Sequence, residues 1–189
     1  DNAFKEKFFH VPLTEQPEYN GTQLIHSKVI ASYLRQLLRN DLQYAPFRME
    51  GMEQDVREMM EIDTPQGKLA LQIGGTIDRL DSKGDTLRIV DYKTGGTPKT
   101  PENIEQLFTP ADNRPNYIFQ TFLYAAILCR KQSLKVAPSL LYIHRAASES
   151  YSPVIEMGAP RQPKVPVNNF AFFEDEFRER LHGLLQEIF

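Results

Sequence analysis

Asp91-Tyr92-Lys93 follows the apolar pair Ile89-Val90. On a strand successive side chains alternate faces, so Asp91 and Lys93 share one face and Tyr92 takes the other. A carboxylate and an ammonium then stand one strand repeat apart, at the end of a stretch that reads as buried. Charge in such a place is expensive unless it is paired or bound to a metal. A lone Asp-x-Lys is most often a surface ion pair, nearly neutral in energy. Asp78 alters that balance. It closes the preceding strand-like run Gly75-Thr76-Ile77-Asp78-Arg79. If the two runs pair through the turn at Ser82-Lys83-Gly84-Asp85, Asp78 and Asp91 come together. Close carboxylates repel unless a cation or proton lies between them. Oxygen donors of this kind suit Mg²⁺ or Mn²⁺. The plainer alternative is that Asp78 pairs with Arg79 or caps the turn.

Two helical signals complete the set of polar candidates. Gln120 and Tyr124 are four residues apart and share a helix face. Taken alone they read as the wet side of an amphipathic helix. His26 lies four residues before Ile30 and so shares the stripe of Ile30, Leu34, Leu37 and Leu38. A single His on an apolar stripe is more often a satisfied core residue than a ligand. His10, His144 and His182 have less context still. The chain has no glycine-rich phosphate loop of the ATPase kind, no Gly-x-Ser-x-Gly turn and no histidine pair at zinc spacing.

The elements that must position these residues follow from periodicity. Residues 1–20 read as irregular, with Pro12 and Pro17 as breakers. A helix is predicted over about 22–40. Residues 47–62 fit either a strand or a short helix. Thr64-Pro65-Gln66-Gly67 is a turn signal. Strands are predicted at 68–80 and 87–93, paired as a hairpin. The segment 97–115 is polar, holds four prolines and reads as a loop able to reach over a site. A helix with a broad apolar face is predicted at 117–130. Strands are predicted at 140–144 and 153–157, a loop around Pro160, Pro163 and Pro166, and an amphipathic helix at 174–189. Helix, strands, helix, strands, helix implies an α/β fold: a mixed central sheet flanked by helices.

Composition sets outer bounds. The 189 residues suffice for one sizeable core and predict a single domain over 1–189. Apolar residues make up 41% and charged residues 25%, ordinary globular values. No apolar run is long enough to span a bilayer, and the first residues do not read as a signal peptide. The single cysteine, Cys129, can form neither an internal disulfide nor a metal site by itself. These features predict a cytoplasmic protein with no membrane partner. Net charge is −3 with a pI near 5.9, a mild argument against binding nucleic acid through bulk positive charge.

Together, His26, Gly-Thr-Ile-Asp-Arg-Leu-Asp at 75–81, Ile-Val-Asp-Tyr-Lys-Thr-Gly at 89–95 and Gln120-x-x-x-Tyr124 resemble the PD-(D/E)xK nucleases. The nearer resemblance is to the RecB-like exonuclease branch, which includes the nuclease domains of the AddAB and RecBCD helicase–nucleases. It covers about residues 21–145; the C-terminal strand and helix within 150–189 carry no motif of it. It implies a restriction-endonuclease-like core and metal-dependent hydrolysis of DNA in repair or recombination. Asp78 and Asp91 match the metal-binding acids, the Tyr92 carbonyl a further ligand, and His26 the extra ligand of this branch. Lys93 matches the lysine that orients or polarises the attacking water. Gln120 and Tyr124 match the motif that holds DNA near the scissile phosphate. Glu53 is a weaker candidate for a supporting acid. The expected cofactor is Mg²⁺ or Mn²⁺, and the expected partners are DNA and a helicase domain or subunit. One cysteine excludes the four-cysteine iron–sulfur cluster of some relatives. The competing reading is a catalytically silent DNA-binding or scaffolding module on the same fold; a sequence-specific endonuclease ranks below both.

Overall fold

In the computed structural model, residues 2–148 and 150–189 are described. The chain forms two compact units, 1–43 and 44–189. The first holds short helical turns at Asn2–Phe4 (α1) and Lys5–Phe9, then most of the long helix α2, Gly21–Tyr44. Residues 1–20 are thus less irregular than the proline positions suggest. Phe9 packs edge-on against both Phe8 and Tyr19, which gives the opening turns something to fold around. Helix α2 begins at Gly21 and continues past the predicted end. Its apolar stripe has the expected spacing but is not buried: Ile30, Leu34 and Leu38 are 43%, 55% and 62% exposed. The 43 residues of this unit supply no second layer to cover it.

The second unit is built on a four-stranded sheet in the order β1-β2-β3-β4. Strands β1 (Arg48–Thr64) and β2 (Gly67–Lys83) form a long antiparallel hairpin through the Thr64–Gly67 turn. That pairing resolves the ambiguous segment 47–62 as strand. Strand β3 (Thr86–Lys93) pairs antiparallel with β2 through the turn at Gly84, and β4 (Lys135–Tyr142) lies parallel to β3. The sheet is therefore mixed. Strand β4 starts five residues before the predicted 140–144 and ends two residues earlier. At a sheet edge a proline is tolerated, since its missing N–H costs no ladder bond; Pro138 stands opposite Ile89 on this edge strand. The predicted strand at 153–157 reduces to a bridge at Val154 and the short β5 (Glu156–Met157), which pairs with β6 (Val165–Pro166).

Helices α3 (Asn116–Cys129) and α4 (Glu174–Ile188) close the core. Leu80, Leu87 and Ile89 of the sheet pack with Ile118, Phe122 and Ala125 of α3, and with Phe170, Phe177 and Leu181 near or on α4. Phe122, Phe170 and Phe177 stack edge to face, geometries that add about 0.5–1.5 kcal/mol per pair beyond burial. Helix α4 is pinned by Arg178, which donates to both carboxylate oxygens of Glu58 on β1 and to Glu174. The result is an α/β fold with a mixed sheet flanked by helices, consistent with a restriction-endonuclease-like core. No helix among the described residues is long and apolar enough to cross a membrane.

Candidate active site

The last paired residues of β2 and β3 are Arg79 and Val90. One more step of that register sets Asp78 opposite Asp91. The ladder opens there, and the Asp78 carboxylate takes up the freed backbone N–H of Tyr92 at 2.8 Å. This settles how Asp78 is held: Arg79 turns away and pairs with Asp81 at 2.8 Å instead. Asp91 is buried, with 4% of its surface exposed. Burial pushes its carboxyl above the usual carboxylate range; Lys93 pulls it back and the charge of Asp78 pushes it up again. Lys93 Nζ lies 2.6 Å from Asp91 Oδ2. Asp91 Oδ2 is thus a buried, ion-paired oxygen.

Behind this face stands a second charged group. Asp81 is fully buried and accepts from Arg79 on its own strand and Arg88 on β3. Arg79 also donates to the Tyr92 hydroxyl at 3.1 Å. The guanidinium of Arg88 lies 3.5 Å from the Tyr44 ring centroid, and that of Arg79 lies 4.8 Å from the Phe47 centroid. The alternation read from the sequence therefore separates two environments: Asp91 and Lys93 on one side, Tyr92 and the Arg–Asp–Arg cluster on the other. That cluster fixes Tyr92 from behind, and Tyr92 fixes Asp78 in front.

Tyr124 is buried and accepts a hydrogen bond from Gln120 Nε2 at 2.9 Å. It is not on a wet face. A Cβ placed on Gly75 would meet the Tyr124 hydroxyl at 2.6 Å, so this glycine gives the tyrosine its seat on β2, three residues before Asp78. His26 is exposed on α2, in the first unit. Glu53 is exposed and takes a left-handed backbone conformation, φ 49°. It interrupts the β1–β2 pairing at the position whose register partner is Asp78.

Two residues next to Lys93 were not among the sequence candidates. Its ammonium rests 4.2 Å from the centroid of the Tyr117 ring, which the 94–115 loop brings back over the strand end. Tyr142 of β4 stands beside Lys93 through the parallel register, and its hydroxyl is made less acidic by burial and by the nearby Tyr151, Tyr117 and Asp91. Only the long-range β3–β4 pairing could have revealed Tyr142. The exposed aromatic at the start of a helix is the one hint that pointed to Tyr117.

The donor set fits a divalent cation. Two carboxylates repel across the strand ends, one of them has a buried, ion-paired oxygen, and the available donors are oxygens, which suits a hard divalent cation over softer metals. Among the described residues no three His, Cys, Asp or Glu side chains are gathered to hold a metal. Two carboxylates would therefore leave positions for a backbone carbonyl, water and substrate. A family model described as the PD-(D/E)XK nuclease superfamily matches residues 1–189. Nucleases of that superfamily typically depend on divalent metal ions. No curated protein matches the chain. With its two facing acids, its lysine and its mixed sheet, the chain belongs to the PD-(D/E)XK nuclease superfamily.

Proposed function

We propose that this protein is a metal-dependent deoxyribonuclease of the RecB-like exonuclease kind, acting in DNA repair or recombination beside a helicase domain or subunit. The observation that carries the reading is the juxtaposition of Asp78, Asp91 and Lys93 where β2 and β3 part. Asp78, Asp91 and the Tyr92 carbonyl would hold Mg²⁺ or Mn²⁺. A divalent ion, when bound, supplies Lewis acidity and lowers the pKa of water.

The side chains divide the remaining work. Lys93 orients the attacking water and offsets charge that builds on the phosphoryl oxygens, an electrostatic role suited to a site shielded from bulk water. Gln120 and Tyr124 form a coupled polar pair on α3, and together they hold the strand in line. The water oxygen bonds to phosphorus, the P–O3′ bond breaks, and the departing 3′ oxygen takes a proton. The products are a 5′-phosphate and a 3′-hydroxyl.

The test is cleavage of linear and covalently closed DNA with Mg²⁺ or Mn²⁺, with Asp91→Ala and Lys93→Ala beside the wild type. Linear DNA should shorten from its ends, and both variants should lose at least about a hundredfold in rate, the usual cost of removing a major electrostatic contributor. Cutting of closed circles would move the assignment to an endonuclease. A wild-type protein that neither cleaves nor binds Mn²⁺ would leave a silent DNA-binding module on the same fold.

A further inference from the structure

We propose that the hollow beside Lys93 is a base-stacking subsite, with Tyr117 as its platform, and that it selects an unpaired nucleotide at a single-stranded DNA end. The inference rests on the nuclease reading above and names its substrate class. Tyr117 opens α3 and keeps 44% of its surface exposed, although Lys93 lies against its ring. The ring lines a hollow of about 310 Å³ together with Gly96, Thr97, Lys99, Arg114 and Tyr142. Gly96 lies between the two aromatic rings: a Cβ there would stand 3.5 Å from Tyr117 and 3.8 Å from Tyr142. With its φ of 81° it accepts no ordinary side chain without strain, so the gap stays open.

The walls are held in place. Lys99 Nζ donates to the carbonyls of Asn113 and Arg114, tying the two limbs of the 94–115 loop together. Arg114 Nε donates to Asn116 Oδ1 at 2.7 Å. Two cations, one carboxylate (Asp112) and an exposed aromatic ring thus line a space at the low end of ligand-pocket volumes. A flat apolar ring with cations beside it suits a nucleobase and its phosphate. Within a duplex the flat faces of the bases are stacked on their neighbours and cannot lie against such a ring without unpairing. An unpaired base can enter. Lys93 bridges the two regions, touching Tyr117 on one side and Asp91 on the other, so the stacked base belongs to a nucleotide next to the scissile phosphate.

The experiment is equilibrium binding of the full chain to a short single strand carrying 2-aminopurine near its end, and to a blunt duplex, both in EDTA. Stacking on Tyr117 should quench the 2-aminopurine. Tyr117→Leu should abolish the quench and weaken single-strand binding by about 5- to 150-fold, the range of one base–aromatic stack. Duplex binding should hardly move, and Tyr117→Trp should keep the quench. A Tyr117→Leu protein that binds and quenches like the wild type overturns the proposal. So does one that loses single-strand and duplex binding equally while melting like the wild type. Metal-dependent cleavage by the wild type is measured separately. Cleavage without Tyr117-dependent quenching sinks the subsite and leaves the nuclease reading. Quenching without cleavage does the reverse.

Discussion

Asp91 is held at a cost, and that cost is what a metal would relieve. Its carboxylate is desolvated, faces Asp78 and is compensated by Lys93. Residues placed for function often spend stability in this way. Asp91→Asn keeps the shape and removes the charge. It should abolish Mn²⁺ binding and cut cleavage by at least about a hundredfold, while the melting temperature without divalent metal holds or rises. A melting temperature several degrees lower would show that Asp91 is a structural ion-pair partner of Lys93 and little more. Cys129 gives a check of a different kind. Burial, with the charge of Glu174, pushes its thiol up to about 11. The thiolate is the reactive form, so alkylation of the native protein at pH 8 should run far slower than that of the urea-unfolded chain and should accelerate as the pH approaches 11. Because the folded thiol holds its proton more tightly than the unfolded one, its contribution to stability is present below pH 9 and declines above it. Equal alkylation rates in the two states would mean that the α3 end opens readily.

At the scale of elements, the strand pair β2–β3 supports the site from its far side. Asp81 serves two buried guanidinium groups, and one of them steadies the Tyr92 hydroxyl. Asp81→Ala removes the carboxylate that both share and should cost about 3–5 kcal/mol, the penalty for breaking a buried ion pair by removing one partner. Tyr92→Phe removes one hydrogen bond and should cost about 0.5–1.5 kcal/mol. Chemical denaturation separates the two, and equal small losses would mean that the cluster is solvated. Much of this pair was legible in the sequence. Strict alternation placed Asp91 and Lys93 apart from Tyr92, and the Ser82–Asp85 turn implied that Asp78 faces Asp91. What the sequence hid depended on distant chain. Residues 47–62 read either way until β2 paired with them, the first half of β4 shows only through its pairing with β3, and Tyr124 looked solvated because nothing local says that Gly75 makes room for it. The stripe of α2 shows the limit from the other side: the spacing predicts the helix correctly but says nothing about what covers its face.

At the scale of the molecule, the charge distribution sets how DNA binding should respond to salt. The chain carries a net charge of −3, so long-range attraction to a polyanion is weak and binding must rest on a few local contacts. Lys93, Lys99 and Arg114 are the cations that border the Tyr117 hollow or the paired acids. Each phosphate neutralised on a single strand contributes about −0.7 to the slope of log K against log salt. Three such contacts give a slope of about −2, against about −7 for a protein that lays ten basic residues along the backbone. Single-strand affinity should therefore fall only about sixteenfold between 50 and 200 mM salt. Lys99→Ala should lower the slope by a little under one, while Tyr117→Leu should weaken binding at every salt concentration and leave the slope unchanged. A wild-type slope steeper than about −5 would mean that a wider basic surface is engaged than the one beside β3. A low slope would also bear on the proposed assembly: a domain that attracts DNA this weakly at physiological salt would depend on delivery of the strand. Fusion or tethering to a DNA translocase should then raise its cleavage rate on linear DNA far more than any added basic residue at the rim of the hollow.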